Sequence, residues 1–218
     1  NLGATFGGLG RLDDAEASYT QAIALKPDYA EAHFNLGVTL VELGKFEEAE
    51  ASYTQAIAMK PDHAEAQLQK SMLLLNRQEF QLGWSLYEPP LKLLHFNDGA
   101  ATAYFTERAE RWEGSSLRGK NIEVYATQGI GDAIMFASCI PDLIQESPSK
   151  IYLDCDVRLE PLFARSFPEV TVQGRAKIDR FSPTFNDTDR LNEDVHLDYS
   201  LPFDGLPRFF RNKIEDFP

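Results

Sequence analysis

A glycine-rich turn that ends in a carboxylate is the part of this sequence whose residue types could do chemistry. The run reads Gln128-Gly129-Ile130-Gly131-Asp132, and an apolar stretch follows it. Glycines let a backbone turn tightly and approach a ligand, and a helix that starts behind them directs partial positive charge at that ligand. A carboxylate held there can accept the proton of a hydroxyl nucleophile. The same carboxylate can instead only cap the helix, so both roles stay open for Asp132.

Two other uses of a glycine-rich turn fit this run less well. A dinucleotide-binding fingerprint needs a third small residue at position 134, which is Ile134,. A phosphate-binding loop needs Gly-Lys followed by Ser or Thr, and the run lacks it,. The interpretation that remains makes Asp132 the functional residue of the turn.

The elements that must position this turn alternate between strands and helices. Strands are predicted over Ile122–Ala126, Ile151–Cys155, Val170–Val172 and Val195–Tyr199, and helices over Asp132–Gln145, Leu159–Phe167 and Pro207–Glu215, with a polar loop at about 179–193. Such alternation predicts βαβ units and a parallel sheet. Ligands of these sheets bind at the carboxyl ends of the strands, which is where the first strand meets the glycine-rich turn.

The first hundred residues follow another plan, a repeat every 34 residues. Glu16–Ala24 reappears almost unchanged as Glu50–Ala58, and a weaker third copy ends at Pro89-Pro90. Within one repeat, helices are predicted over Ala30–Leu43 and Phe46–Met59. Gly44 ends the first helix and Pro61 stops the second, while Gly37 and Ala49 are small enough for the paired helices to approach.

The repeat resembles the tetratricopeptide repeat (TPR), with His33 where that pattern has Trp and Leu40 where it has Tyr,. The resemblance implies a helical solenoid of about two and a half repeats over residues 1–98 that binds a protein or peptide in a groove lined by the first helices. Asn1, Asn35 and Gln69 lie 34 residues apart there, and they resemble the asparagine ladder of protein O-GlcNAc transferases, whose amides hold a peptide backbone. The alternative is a polar face that meets only solvent. We predict packing or loop roles for His33 and His63 and no metal site, because no carboxylate or thiol pattern surrounds them.

The second half has its own resemblance. The run GKNIEVYATQGIGDAIMFASCIPDL, residues 119–143, resembles the start of the family 9, heptosyltransferase-like glycosyltransferases. A wider match over about residues 108–218 is similar to bacterial proteins that fuse TPRs to such a domain. The resemblance implies a Rossmann-like N-terminal half of a GT-B enzyme over 120–218, with Asp132 as the base and substrate contacts at Gln128, Gly129, Ile130 and Gly131. Gln128-Gly129-Ile130 departs from the small hydroxyl residues of heptosyltransferases, which leaves the acceptor type open.

The charge of the chain limits the kinds of partner it can bind, and its cysteine content indicates the compartment. The chain has 21 basic and 34 acidic residues and a net charge of −13. We therefore expect no nonspecific nucleic-acid binding, and no run of apolar residues is long enough to span a membrane. Cys139 and Cys155 form no CxxC pair, which is typical of buried thiols in the cytoplasm.

Together these features predict an α plus α/β chain: TPRs over 1–98, a linker over 99–119 and an incomplete glycosyltransferase domain over 120–218. The parent protein would transfer a sugar from a nucleotide sugar to a hydroxyl acceptor without a bound cofactor. We expect the chain to be a fragment truncated at both ends, inactive alone, with donor binding confined to the full-length parent. The alternative is a TPR interaction module whose α/β domain has lost catalysis. A nucleotide-binding regulatory domain lacks its fingerprint.

Overall fold

The chain forms two compact units, Asn1–Glu88 and Pro89–Pro218. The computed structural model describes residues 2–87, 109–126, 129–175 and 195–217. Helical repeats fill the described part of the first unit, and a parallel sheet forms the centre of the second. The predicted order of helical repeats followed by a parallel sheet is confirmed, and the Rossmann-like assignment stays a prediction.

Helices of the first unit pack as successive pairs. Their bounds within residues 2–87 are α1 (Leu2–Gly8), α2 (Leu12–Leu25), α3 (Ala30–Glu42), α4 (Phe46–Met59), α5 (Ala64–Asn76) and α6 (Phe80–Leu86). Each helix packs on the next along the chain, from α1 on α2 to α5 on α6. The helix predicted over Phe46–Met59 is confirmed at both ends.

A small residue allows close packing within each pair, but its position changes in the third. In the first pair, a Cβ at Gly3 would stand 2.6 Å from the ring of Tyr19. At the matching position of the third pair lies Ser71, whose buried hydroxyl donates to the carbonyl of Gly83 at 2.9 Å. A Cβ at Gly83 would stand 2.6 Å from Leu75. The third pair therefore places its glycine on the second helix instead of the first.

The turns inside the pairs share one backbone conformation. Gly10 has a φ of 70° and Gly44, 34 residues later, has a φ of 75°. The third turn places Gln78 in the same left-handed region, with a φ of 62°. Since a side chain disfavours this region, only the third turn carries strain.

The second unit has a five-stranded sheet within its described residues, and every strand pairs in parallel. The strands are β1 (Glu110–Arg111), β2 (Asn121–Tyr125), β3 (Lys150–Asp156), β4 (Thr171–Arg175) and β5 (Tyr199–Pro202), in the spatial order β1-β5-β2-β3-β4. The predicted fourth strand, Val195–Tyr199, was wrong in position: pairing with β2 begins only at Tyr199 and runs to Pro202.

Short helices connect these strands. They are α7 (Ile130–Phe136), α8 (Ile140–Gln145), α9 (Glu160–Ser166) and α10 (Pro207–Phe210). The single helix predicted over Asp132–Gln145 is in fact broken by a 3₁₀ turn at Ala137–Cys139. The last predicted helix ends early at Phe210, and a 3₁₀ turn follows at Ile214–Asp216.

Part of the predicted linker is integrated into the sheet unit. Glu110 and Arg111 pair with Tyr199 and Ser200. Trp112 is buried, its indole N–H donates to the carbonyl of Ser115 at 2.7 Å, and its ring lies 4.4 Å from that of Phe209. The rest of the linker, residues 99–108, and the whole of the predicted polar loop, 179–193, fall outside the described residues.

Among the residues that the structure describes, no helix is both long enough and apolar enough to cross a bilayer,.

Candidate functional site

One side of the repeat unit repeats with the sequence and consists of exposed and half-buried residues, of which Val38 also packs against the core. It consists of residues on α3 and their counterparts 34 positions later on α5, which we call the repeat face: Glu31, Asn35, Val38, Glu42, Glu65, Gln69, Met72 and Asn76. The spacing of four, three and four residues places each set of four on one side of its helix. The opposite side of α3 is buried through residues such as Ala32 and Leu40.

Hydrogen bonding decides which atoms this face offers to a ligand. The Nδ2 of Asn35 donates to the carbonyl of Glu31 at 2.7 Å, and the Nδ2 of Asn76 donates to the carbonyl of Met72 at 3.0 Å. Each of these asparagines therefore uses one of its two amide hydrogens within its own helix and keeps its side-chain oxygen, an acceptor, for a ligand,. Met72 adds an apolar contact at the middle of the face, where 48% of its surface is exposed.

Of the three residues predicted to line a peptide groove, two are placed on this face. Asn35 and Gln69 are half-buried and occupy equivalent positions on α3 and α5. Asn1 lies outside the described residues. The structure thus puts two of the predicted amides on one repeating surface, and their role in binding stays a prediction.

A buried histidine joins the first turns of α3 and α5. His63 is only 3% exposed, and its ring lies 4.9 Å from that of Phe34. Its Nε2 stands 3.6 Å from Glu31 and its Nδ1 stands 3.2 Å from Glu65. Two of the three carboxylates of the repeat face, Glu31 and Glu65, therefore lie on either side of the same imidazole ring. The sequence contained one signal for this, because the repeat has Tyr29 where the next copy has His63.

His33 has a different and purely local contact. Its Nε2 lies 3.1 Å from the carbonyl of Pro27, and 34 residues later the Nε2 of Gln67 donates to the carbonyl of Pro61 at 2.7 Å. A ring nitrogen and an amide thus hold the same position of successive turns. This agrees with a packing role for His33.

The basic residues of the repeats are engaged away from the middle of this face. Lys45 pairs with Glu16 at 2.7 Å, and Arg77 pairs with Glu50 at 2.9 Å. These bonds, together with nearby carboxylates, raise the pKa values of Lys45 and Arg77, with the hydrogen bonds to Glu16 and to Glu79 as the largest causes. Glu50 is the counterpart of Glu16, 34 residues later, and it also pairs with a cation. That cation comes from Arg77, because the counterpart of Lys45 is the acidic Glu79.

The second candidate site is the glycine-rich turn between β2 and α7. Asp132 is half-buried in the first turn of α7, and its Oδ2 accepts the backbone N–H of Gly129 at 3.2 Å. Gly129 and Gly131 are exposed, and nothing lies within 4 Å of a Cβ built on Gly131. Gln128 falls outside the described residues. The carboxylate is therefore used in part for capping, from inside the helix and not from its N-cap position.

The end of β2 also brings together buried acidic residues that sequence analysis did not single out. Glu123, Asp154 and Asp204 are 0%, 4% and 2% exposed, and Tyr125 is 3% exposed. Burial raises the pKa of Tyr125 to about 12, Asp204 and Glu123 contribute in the same direction, and Arg111 opposes them. The signal in the sequence was a carboxylate inside each of two predicted apolar strands. Helix α7 packs against the 3₁₀ turn Phe203–Gly205, which carries Asp204.

Comparison with known proteins supports the repeats. Residues 8–68 match the tetratricopeptide repeat family. The protein FlbA of Caulobacter vibrioides is 31% identical over 139 residues, which are 62% of this chain and 22% of that protein. The chain thus spans about a fifth of the length of this curated relative.

Two solved structures have partial likeness to the chain. The TPR2B domain of yeast Sti1, solved as a pHsp70 complex, has a TM-score of 0.41 and 21% identity over 49% of this chain and 86% of that one. The O-GlcNAc transferase of Thermobaculum terrenum has a TM-score of 0.34 and 21% identity over 80% of this chain and 33% of that one. Within the first unit, the match to the tetratricopeptide repeat family covers residues 8–68, and the described helices there are arranged as TPR-like helical repeats.

Proposed function

We propose that the repeat unit is a binding module that holds an extended segment of a partner protein on the repeat face. The observation that carries this proposal is the repetition of one surface. Asn35, Val38 and the paired carboxylate Glu31 of α3 recur on α5 as Gln69, Met72 and Glu65. A ligand that runs across successive helices would meet the same chemistry every repeat.

The atoms on the face suit an extended backbone. The side-chain oxygen of Asn35 can accept a backbone N–H of the ligand, and the side-chain amide of Gln69 can both accept and donate a hydrogen bond. Val38 and Met72 supply apolar contacts between these polar groups. An extended peptide has unpaired backbone N–H and C=O groups, and each of them must find a partner when it is buried. We place this activity in the cytoplasm, because both cysteines are free and buried,.

A selection experiment tests this function. The 218-residue chain is used to select binders from a random dodecapeptide library displayed on phage. We expect peptides that bind the chain and lose at least tenfold in affinity when Asn35, Gln69 and Met72 are replaced by alanine, since a few contacts carry most of an interface. The control variant replaces Gln21 and Gln55, which are exposed on α2 and α4 and also 34 residues apart. The proposal is wrong if no peptide binds, or if both variants bind equally.

A second function is proposed for the second unit: the acceptor-side, Rossmann-like half of a GT-B glycosyltransferase. The observation that favours it is the position of Gly129, Gly131 and Asp132 directly after β2 in a parallel sheet,. Asp132 would deprotonate the acceptor hydroxyl, and the turn from Gln128 to Gly131 would shape the acceptor pocket. Sugar transfer from a nucleotide sugar would need the full-length parent, and assay of that protein with and without Asp132 tests the proposal.

A further inference from the structure

The charge of the repeat face limits which segments it can accept. Its ionisable residues are all acidic: Glu31, Glu42 and Glu65. Glu31 and Glu65 have side chains 50% and 53% exposed, and Glu42 is exposed as well. The face therefore presents three carboxylates to whatever lies on it.

Neutralisation of these carboxylates from within the described residues is incomplete. Lys60 reaches Glu31 only at 3.7 Å. His63 stands between Glu31 and Glu65 but is one group for two carboxylates, and Glu42 forms no ion pair within residues 2–87. The remaining cations of the repeats are held elsewhere, by Asp14, Glu16, Glu50, the ring of Tyr29 and the hydroxyl of Thr54.

The neutral polar groups of the face also favour a ligand that is rich in hydrogen-bond donors. Asn35 and Asn76 each use one amide hydrogen on a carbonyl of their own helix and keep their side-chain oxygen as an acceptor,. Acceptors and carboxylates together match a ligand rich in donors. An acidic segment would bring like charges together on this face, which costs affinity.

We infer that the partner segment is basic: an extended stretch of a protein that carries lysine or arginine side chains. This inference rests on the proposed binding function of the repeat face and adds the charge of its ligand. Lysine and arginine would reach the carboxylates at Glu31, Glu42 and Glu65, while the ligand's apolar side chains would lie on Val38 and Met72. Binding should weaken as salt is raised from 50 to 500 mM, because exposed charges are screened over about 10 Å at 0.1 M salt.

The same phage selection tests the charge of the ligand with the same chain. We expect the selected dodecapeptides to contain more lysine and arginine than the library average and fewer acidic residues. The best peptide is then synthesised with its basic residues intact and with each replaced by glutamate. Fluorescence anisotropy should show at least a tenfold loss for the glutamate peptide, a loss of the size expected from a few surface charge contacts.

A charge reversal on the protein completes the test. Glu42→Lys should weaken binding of the basic peptide roughly tenfold and improve binding of the glutamate peptide, because Glu42 forms no ion pair with the described residues that the change would break. Glu48→Lys, exposed in the first turn of α4, is the control and should alter neither. Acidic or uncharged binders that still depend on Asn35, Gln69 and Met72 would overturn the charge inference and leave the binding function intact. A library without binders, or binders indifferent to those three residues, would overturn both.

Discussion

The ring of Tyr53 lies against the backbone of Gly37, on the neighbouring helix of the same pair. A Cβ built on Gly37 would stand 2.5 Å from Cε1 and 2.7 Å from Cδ1 of that ring. Tyr53 is fully buried and shares a core with Leu40 and Ala49. The ring has no space to retreat, so this contact sets how closely α3 and α4 can approach.

Gly37→Ala should therefore destabilise the repeat unit. Overpacking typically costs about 1–3 kcal/mol, and the better helix propensity of alanine returns up to about 1 kcal/mol. We expect a net loss, measured as a lower urea midpoint of the helical circular-dichroism signal. Gly7→Ala is the matched control, because Gly7 is helical and a Cβ there meets nothing within 4 Å. Equal effects of the two changes would contradict this account of the Gly37 contact.

Tyr53→Phe should be neutral or stabilising near neutral pH. The Tyr53 hydroxyl is buried without a hydrogen-bond partner among the described residues, and removal of such a group saves about 1–3 kcal/mol of desolvation. The phenol loses its proton at a higher pH when folded, because burial and the charge of Glu42 raise its pKa from 10.0 to about 12.

The pH dependence of that residue has a definite sign. A raised folded-state pKa contributes stability below the unfolded value, and this contribution is lost as pH rises through the folded value. The wild-type chain should therefore lose stability between pH 10 and 12, and Tyr53→Phe should lose less over the same range. Urea unfolding at pH 8, 10 and 11.5 measures this, and parallel curves for the two proteins would contradict the prediction.

Gln78→Gly should stabilise the third turn. Gln78 holds a φ of 62°, where the equivalent residues of the first two turns are Gly10 and Gly44. Glycine removes a left-handed strain of about 1–2 kcal/mol but gains freedom in the unfolded chain, so a net gain of about 0.5–1 kcal/mol is expected. Thermal unfolding checks it. The reverse change, Gly44→Gln, should lower the stability by a similar amount.

Sequence repetition predicted the helices well and the sheet less well, for physical reasons. Phe46–Met59 was found at both ends because Lys45 and Pro61 bracket it in a pattern seen twice. The break at Ala137–Cys139 follows from Pro141, which has no N–H for the carbonyl of residue 137 and clashes with that turn. Pro141 is visible in the sequence, but the apolar pattern continues across residues 137–139 and therefore predicted one unbroken helix.

The shift of β5 depended on contacts that no local pattern contains. Val195 and Leu197 have strand propensity, which favoured an earlier start. The Asp198 carboxylate, however, accepts hydrogen bonds from the backbone N–H of Asn121 at 2.9 Å and from the Lys120 ammonium at 2.9 Å. These bonds lower the pKa of Asp198, the first of them most. The ladder with β2 starts at Tyr199, the residue after Asp198 and four residues later than predicted. The buried carboxylates of the sheet unit, such as Asp204, depend on tertiary packing in the same way.

Nucleotide sugars should not bind the 218-residue chain tightly. If the second unit is the acceptor-side half of a glycosyltransferase, the donor belongs to a further domain, and half a cleft cannot position it or exclude water. Isothermal titration calorimetry with UDP-, GDP- and ADP-sugars provides the measurement. Micromolar affinity for any of them would show that the 218-residue chain itself binds the donor. The proposed assignment of the second unit would then have to be withdrawn.

If the second unit is the acceptor-side half of a glycosyltransferase, Asp132→Asn in the longer enzyme would separate the two roles proposed for this residue. The bond from the Gly129 N–H to the Asp132 carboxylate, at 3.2 Å, can be kept by an asparagine oxygen,. A neutral amide, however, cannot accept the proton of an acceptor hydroxyl, and a general base contributes about 10²–10⁴-fold to the rate. We therefore expect an unchanged melting temperature and a turnover lowered by at least a hundredfold.

The control for Asp132→Asn is Asp132→Ala, which removes the cap as well as the base. It should lower the turnover as Asn does and also cost about 1 kcal/mol of stability, the usual value of a helix cap. Glycosyl transfer from a radiolabelled nucleotide sugar and thermal unfolding are measured on the same preparations. An Asn variant that transfers sugar at the full rate would leave Asp132 as a helix cap only, because the capping bond survives the change and the proton acceptor does not.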